Sequence, residues 1–164
     1  ASAPAIIFFT SGPQGDPQLG DAQVMRADGA EDNSVAVLMK HVGGNLRSRW
    51  TEPFTTDGEK PDRDRDNEFV TATDDAAGVR AVWDRGWAVL ETFLEQLTSP
   101  DLTRSVTIRG EVMPLANALQ RSLAHTAQHV GQIILLAKHS RGSEWQTLSI
   151  PRRQSATYAS TPPR

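Results

Sequence analysis

Between Pro114 and His139 apolar side chains return at helical spacing, at Leu115, Leu119, Leu123, Val130, Ile133, Ile134 and Leu136. That period predicts an amphipathic helix over about 114–139, roughly 39 Å long. Pro114 suits the first turn of such a helix. Gly142 lies just past its basic end at Lys138, His139 and Arg141, where a helix stops. Two earlier segments repeat the pattern. Val35, Leu38, Met39, Val42 and Leu46 mark a helix of roughly 25 Å, from the capping residues Asp32-Asn33-Ser34 to Trp50. Val79, Val82, Trp83, Gly86, Trp87, Leu90, Phe93, Leu94 and Leu97 mark the buried stripe of another. Thr73-Asp74-Asp75 caps it and Ser99-Pro100 ends it. The expected class is all-α.

The segments between are informative by contrast. Gly12, Pro13, Gly15, Pro17 and Gly20 punctuate the first thirty residues and oppose a long helix, leaving room for a short one at 19–26. The apolar patch Ala5–Phe9 reads as strand-like. Residues 51–72 form a long polar connection. Six acids and three bases lie between Asp57 and Glu68, as in a solvated loop pinned by its own ion pairs; a substrate-entry loop is the alternative. Ser105–Ile108 and Val112-Met113, with Gly110 between, suggest a hairpin. Trp145, Leu148 and Ile150 are expected to pack back on the body, ahead of a disordered tail at 156–164. Gly43-Gly44 weakens its helix by about 1–2 kcal/mol relative to alanine. Close approach of another backbone or a ligand is one reason to tolerate that.

The chain has 164 residues, no cysteine, four histidines and a net charge of -3. A single domain of this size hides roughly 70% of its unfolded surface and can form a core without staples. Zero cysteine removes disulfides, thiolate zinc sites, iron–sulfur clusters and cysteine nucleophiles. The acidic balance argues against a nucleic-acid partner. The longest apolar runs are too short to cross a membrane, and the expected location is cytoplasmic.

Any metal site must then be built from His, Asp and Glu. His125 and His129 are four residues apart, on one face of the predicted helix. Two such imidazoles can chelate one ion, as in helical HExxH sites. Here Thr126-Ala127-Gln128 intervene, and the glutamate base of the zinc proteases is missing. The pair can equally be core histidines. His41, mid-helix with Leu38, Asn45 and Ser48 on its stripe, offers a third nitrogen donor, and facing helices of a bundle commonly build such sites. His139 is explained by the helix dipole. The four tryptophans read as core anchors.

The chain resembles the DinB/YfiT-like family of metal-binding four-helix bundles, in particular an uncharacterised bacterial subgroup. The resemblance is carried by Asp32-Asn33-Ser34-Val35-Ala36, by His41 through Trp50, by Thr55 through Pro61 and by Arg63-Asp64-Arg65-Asp66. It continues at Gly86-Trp87, Ile108 through Glu111, Leu123 through Ile133 and Thr147 through Arg152, covering about residues 30–155. It implies a divalent-metal triad of His41, His125 and His129 in a bundle spanning 31–155, with zinc or nickel as the expected ion. Two departures stand out: residues 1–30 are atypical for the family's first helix, and Arg153 stands where the subgroup has Gly. The resemblance further implies a small-molecule substrate and a low-molecular-weight thiol as cofactor. The expected activity is that of an S-transferase or hydrolase. A non-catalytic metal-binding stress or interaction protein of the same fold is the alternative. A homodimer is expected, because a missing first helix would expose an apolar groove. Asn45 and Gln128 are candidates for contact with substrate or ligands. Arg47 and Arg49 would pair with the acidic loop or bind an anionic thiol. No general base is visible near the triad.

Overall fold

The computed structural model describes residues 18–29 and 31–156. The apolar patch at 5–9, most of the helix-breaking Gly and Pro residues, and the expected disordered tail beyond 156 lie outside them. The described chain runs α1 (Asp21–Met25), α2 (Val35–Trp50), α3 (Ala76–Glu95), β1 (Ser105–Ile108), β2 (Glu111–Pro114) and α4 (Leu115–Arg141), with short 3-10 turns between. It is mostly helical, as a bundle requires. The expectation of an all-α chain needs one correction: β1 and β2 pair antiparallel in a two-stranded hairpin. The two-residue loop explains the local fold. Arg109 and Gly110 both have positive φ, 55° and 77°, the signature of the tight turn that matches strand twist.

The helix boundaries follow their caps. Ser34 Oγ accepts from Val37 N–H at 3.1 Å at the start of α2, and Asp75 Oδ1 accepts from Gly78 N–H at 2.7 Å at the start of α3. Gly142, with φ 54°, ends α4. Arg153 has φ 68°, a left-handed conformation that Gly would adopt without strain.

α2 is the central helix, and nearly every residue from Val35 to Trp50 is buried or half-buried. α3 packs along it most closely, with α4 and α1 on other sides. The glycine pair now has two separate reasons. A Cβ on Gly43 would sit 2.6 Å from the Val82 carbonyl oxygen and 2.9 Å from Trp83 Cα. Gly86 of α3 meets the Gly43 backbone in return, so the two helices cross backbone to backbone. A Cβ on Gly44 would run into the Glu68 carboxyl group.

Burial of α2 extends to its polar side chains, because residues 51–75 wrap over them. Lys40 donates to the carbonyls of Asn67 at 3.0 Å and Val70 at 2.6 Å, and to Asp74. Ser48 donates to the Gly58 carbonyl at 2.8 Å and accepts from Lys60 N–H at 3.0 Å. The Asp57 carboxylate accepts from the N–H groups of Glu59, Arg109 and Gly110, tying the loop to the hairpin turn. Internal ion pairs do pin this loop, Arg63 to Glu59 and to Glu68, and Arg47 of α2 adds a pair with Asp62.

Two of the expected stripes are narrower than the sequence suggested. Leu94 of α3 is 44% exposed and Leu123 of α4 is 71% exposed. The buried face of α4 runs instead through Leu115, Ala118, Thr126, Ile133 and Ala137, and His125 and His129 border it. Trp50 stacks on Phe93 with ring centroids 5.1 Å apart. Beside them an open groove of about 840 Å³ is lined by Phe54, Val89, Phe93 and Leu97.

Candidate metal centre

α2 and α4 face each other where the three interior histidines lie. His41, His125 and His129 each offer a ring nitrogen within 4.8 Å of the other two. The Nε2 atoms of His41 and His125 are 3.1 Å apart. The ring centroids lie 4.6 to 5.1 Å from one another, edge to face. His41 is 5% exposed, and Phe69 walls its ring at 5.0 Å.

Hydrogen bonds select the tautomers. His41 Nδ1 lies 2.9 Å from Glu68 Oε2. His129 Nδ1 lies 2.7 Å from Gln132 Oε1. Each oxygen accepts an Nδ1–H, which leaves the Nε2 lone pair free on both rings. Across the 3.1 Å gap His125 Nε2 either donates its proton to the His41 Nε2 lone pair or, deprotonated there, faces a cation together with it. An ion with Zn–N bonds of about 2.0–2.1 Å in tetrahedral geometry places its nitrogens roughly 3.3 Å apart. The His41–His125 separation is close to that edge, and the donor set therefore fits a divalent ion. Among the described residues His125 Nδ1 is buried without a hydrogen-bond partner, so packing and the Nε2 contact with His41 orient that ring.

Burial keeps the His125 and His129 rings in the ligating form. Burial, with His129 and His41 alongside, pushes His125 down to about 4. Burial also pulls His129 below its ordinary value, against an opposing contribution from Gln132. Burial would raise Glu68, but hydrogen bonds from His41 and Arg63 outweigh it and hold the carboxyl below the usual range. Arg63 grips Glu68 in a two-pronged contact, Nε to Oε1 and Nη2 to Oε2, both at 2.8 Å.

A family model whose description is a protein of unknown function, DUF1572, matches residues 11–154. The chain belongs to the DUF1572 family. Neither the curated proteins nor the solved structures gave a significant match. The matched span holds all three histidines and Glu68.

In this DUF1572 protein Asn45 is buried and, with Ser122 and Ile108, lines a cavity of about 190 Å³ that opens beside His41 and His125. Gln128 is exposed, and the amide that reaches a ring is Gln132, one turn further along α4. Arg47 pairs with Asp62, and Arg49 lies 3.4 Å from Glu59. Sequence reasoning missed Glu68, Arg63 and Gln132. The His129–Gln132 spacing of three was a usable signal, since such residues are neighbours on a helix. Glu68 was hidden in a run of charges, and the only pointer to it was the glycine at position 44.

Proposed function

We propose that the chain is a DinB/YfiT-like metal protein in which His41, His125 and His129 hold one divalent ion, zinc or nickel. In this reading it is a thiol-dependent transferase acting on a small substrate. The carrying observation is the convergence of three ring nitrogens from two helices, with two rings fixed by Glu68 and Gln132. Carboxylate–histidine contacts of this kind orient ligands and raise their basicity.

The cavity wall favours thiol chemistry over hydrolysis. No Asp or Glu among the described residues lines it. Glu68 has one oxygen on Arg63 and the other shared between His41 and Arg63, so it is an orienting group and not a free base. A group activated here has to lose its proton to solvent under the ion's charge, and a thiol, with a free pKa of about 8.5, does so more readily than water. A bound divalent ion lowers the pKa of a coordinating thiol or water. Asn45 and Ser122 supply polar contacts beside the histidines, while Phe69 shields His41.

Metal analysis of gently purified protein tests the reading. About one divalent ion per chain is expected, and fewer than about 0.2 would overturn it. His129→Ala should weaken metal binding at least tenfold with the helical circular-dichroism signal unchanged. Conjugate formation between a low-molecular-weight thiol and an electrophile panel then decides turnover. Metal without any conjugate would favour the non-catalytic alternative.

A further inference from the structure

The cavity beside His41 and His125 has an unusual wall. Arg49, Arg63, Arg65, Arg109 and Arg121 all line it, and no acidic residue among those described does. Five guanidinium groups around about 190 Å³ repel one another unless anions intervene. The protein supplies two well-placed ones. Glu68 is spent on Arg63 and His41. Glu59 is divided among Arg109 at 2.9 Å, Arg63 at 3.2 Å and Arg49 at 3.4 Å. The acidic neighbours of Arg65 and Arg121 are the solvent-exposed Asp66 and Glu111, 3.9 and 3.7 Å away, where water screens the attraction, and Arg65 also lies over the Phe69 ring, 5.1 Å from its centroid. Arg49 is the sharpest case. Its side chain is 11% exposed, and Nη1 is buried without a hydrogen-bond partner, because Glu59 lies near it without hydrogen-bond geometry. A buried guanidinium N–H left unpaired is costly, and a bound oxyanion would satisfy it.

The fold positions these groups deliberately. Arg109 has a left-handed backbone, φ 55°, which Asp57 stabilises by accepting the N–H groups of Arg109 and Gly110, both at 2.8 Å. The turn thereby brings one arginine over the cavity while the loop after α2 brings Arg63 and Arg65.

We propose that this arginine-lined cavity is an oxyanion subsite, taking the carboxylate or phosphate group of a small substrate whose other end reaches the three histidines. The last clause rests on the metal reading; the subsite itself does not. The volume is below the roughly 300–1,000 Å³ of pockets that enclose a whole drug-sized ligand, so it holds the charged end of a molecule. Arginine forks match both anions bidentately.

The test uses metal-free protein at pH 8 and fixed ionic strength, with inorganic phosphate and malonate titrated separately and the thermal midpoint as readout. A saturable rise with one of them is expected, and the anion that saturates names the class. The apparent affinity should fall roughly tenfold or more in Arg49→Gln or Arg121→Gln. It should be unchanged in Arg26→Gln, which is exposed and does not line the cavity. Arg121 is half-exposed, so its variant folds even if the Arg49 variant does not. No saturable rise, or a rise that both variants keep, overturns the subsite. In cobalt-loaded protein the saturating anion should change the visible spectrum in the wild type and not in Arg121→Gln. An unchanged wild-type spectrum overturns its placement beside the ion. Failure to take up cobalt removes the metal reading, and the first titration still decides the subsite.

Discussion

Glu68 is the residue on which the candidate site turns. It sits 27 positions after His41, on a 3-10 turn at the far end of the polar loop, and its oxygens fix one ring and one guanidinium. Glu68→Gln keeps the shape and removes the charge. Metal affinity measured by competition with a chelator should fall about 10–100-fold. The thermal midpoint should also fall, because Arg63, with 3% of its side chain exposed, loses its strongest partner. An unchanged affinity would mean that Glu68 does not orient His41. The three histidines were legible from spacing and from the resemblance. Glu68 was not, since six acids compete in that stretch and tertiary staples alone select one. Lys40, Ser48 and Asp57 are those staples, and nothing local in the sequence announces that α2 buries two of them.

At the scale of elements, periodicity and caps found α2, α3 and α4 to within a few residues, because both are local signals. The hairpin was legible for the same reason. What the period could not give was how far each stripe extends, since burial depends on which neighbour arrives. The glycines make the point testable. Gly43→Ala places a methyl group against the backbone of α3. The strain of roughly 1–3 kcal/mol from overpacking should exceed the gain of about 1 kcal/mol in helix propensity. Gly131→Ala, with no atom within 4 Å of the new Cβ, should show the gain alone. Chemical denaturation of the two variants should therefore shift in opposite directions. Equal shifts would contradict the close crossing.

For the molecule as a whole, acid should act through the same cluster. The unfolded chain binds a proton at His125 near 6.5, while the fold accepts it only near 4. Across that window the unfolded state holds more protons, so stability present above about 6.5 is lost as pH falls toward 4. His129 acts in the same direction. Glu59 and Glu68, both held low by arginine and histidine partners, extend the loss to more acid pH. The thermal midpoint of metal-free protein should fall across this range, and His125→Gln should flatten the upper part. A midpoint that rises on acidification would sink the account. A mostly helical chain was foreseen, but ahead of α2 the described residues hold only the five-residue helix α1. The fit of loop to helices, which makes the cavity, depends on contacts between segments dozens of residues apart, and no window of sequence contains them.

The backbone-to-backbone crossing at Gly43 and Gly86 has a mechanical consequence. His41 stands two residues before that crossing, on a helix pair with almost no slack. His125 and His129 ride on a separate helix, and Glu68 arrives on a loop. The centre thus works like a vice with one jaw bolted to the bench. Any opening of the cavity beside His41 is therefore expected to come from a displacement of α4 or of the loop, with α2 as the fixed reference.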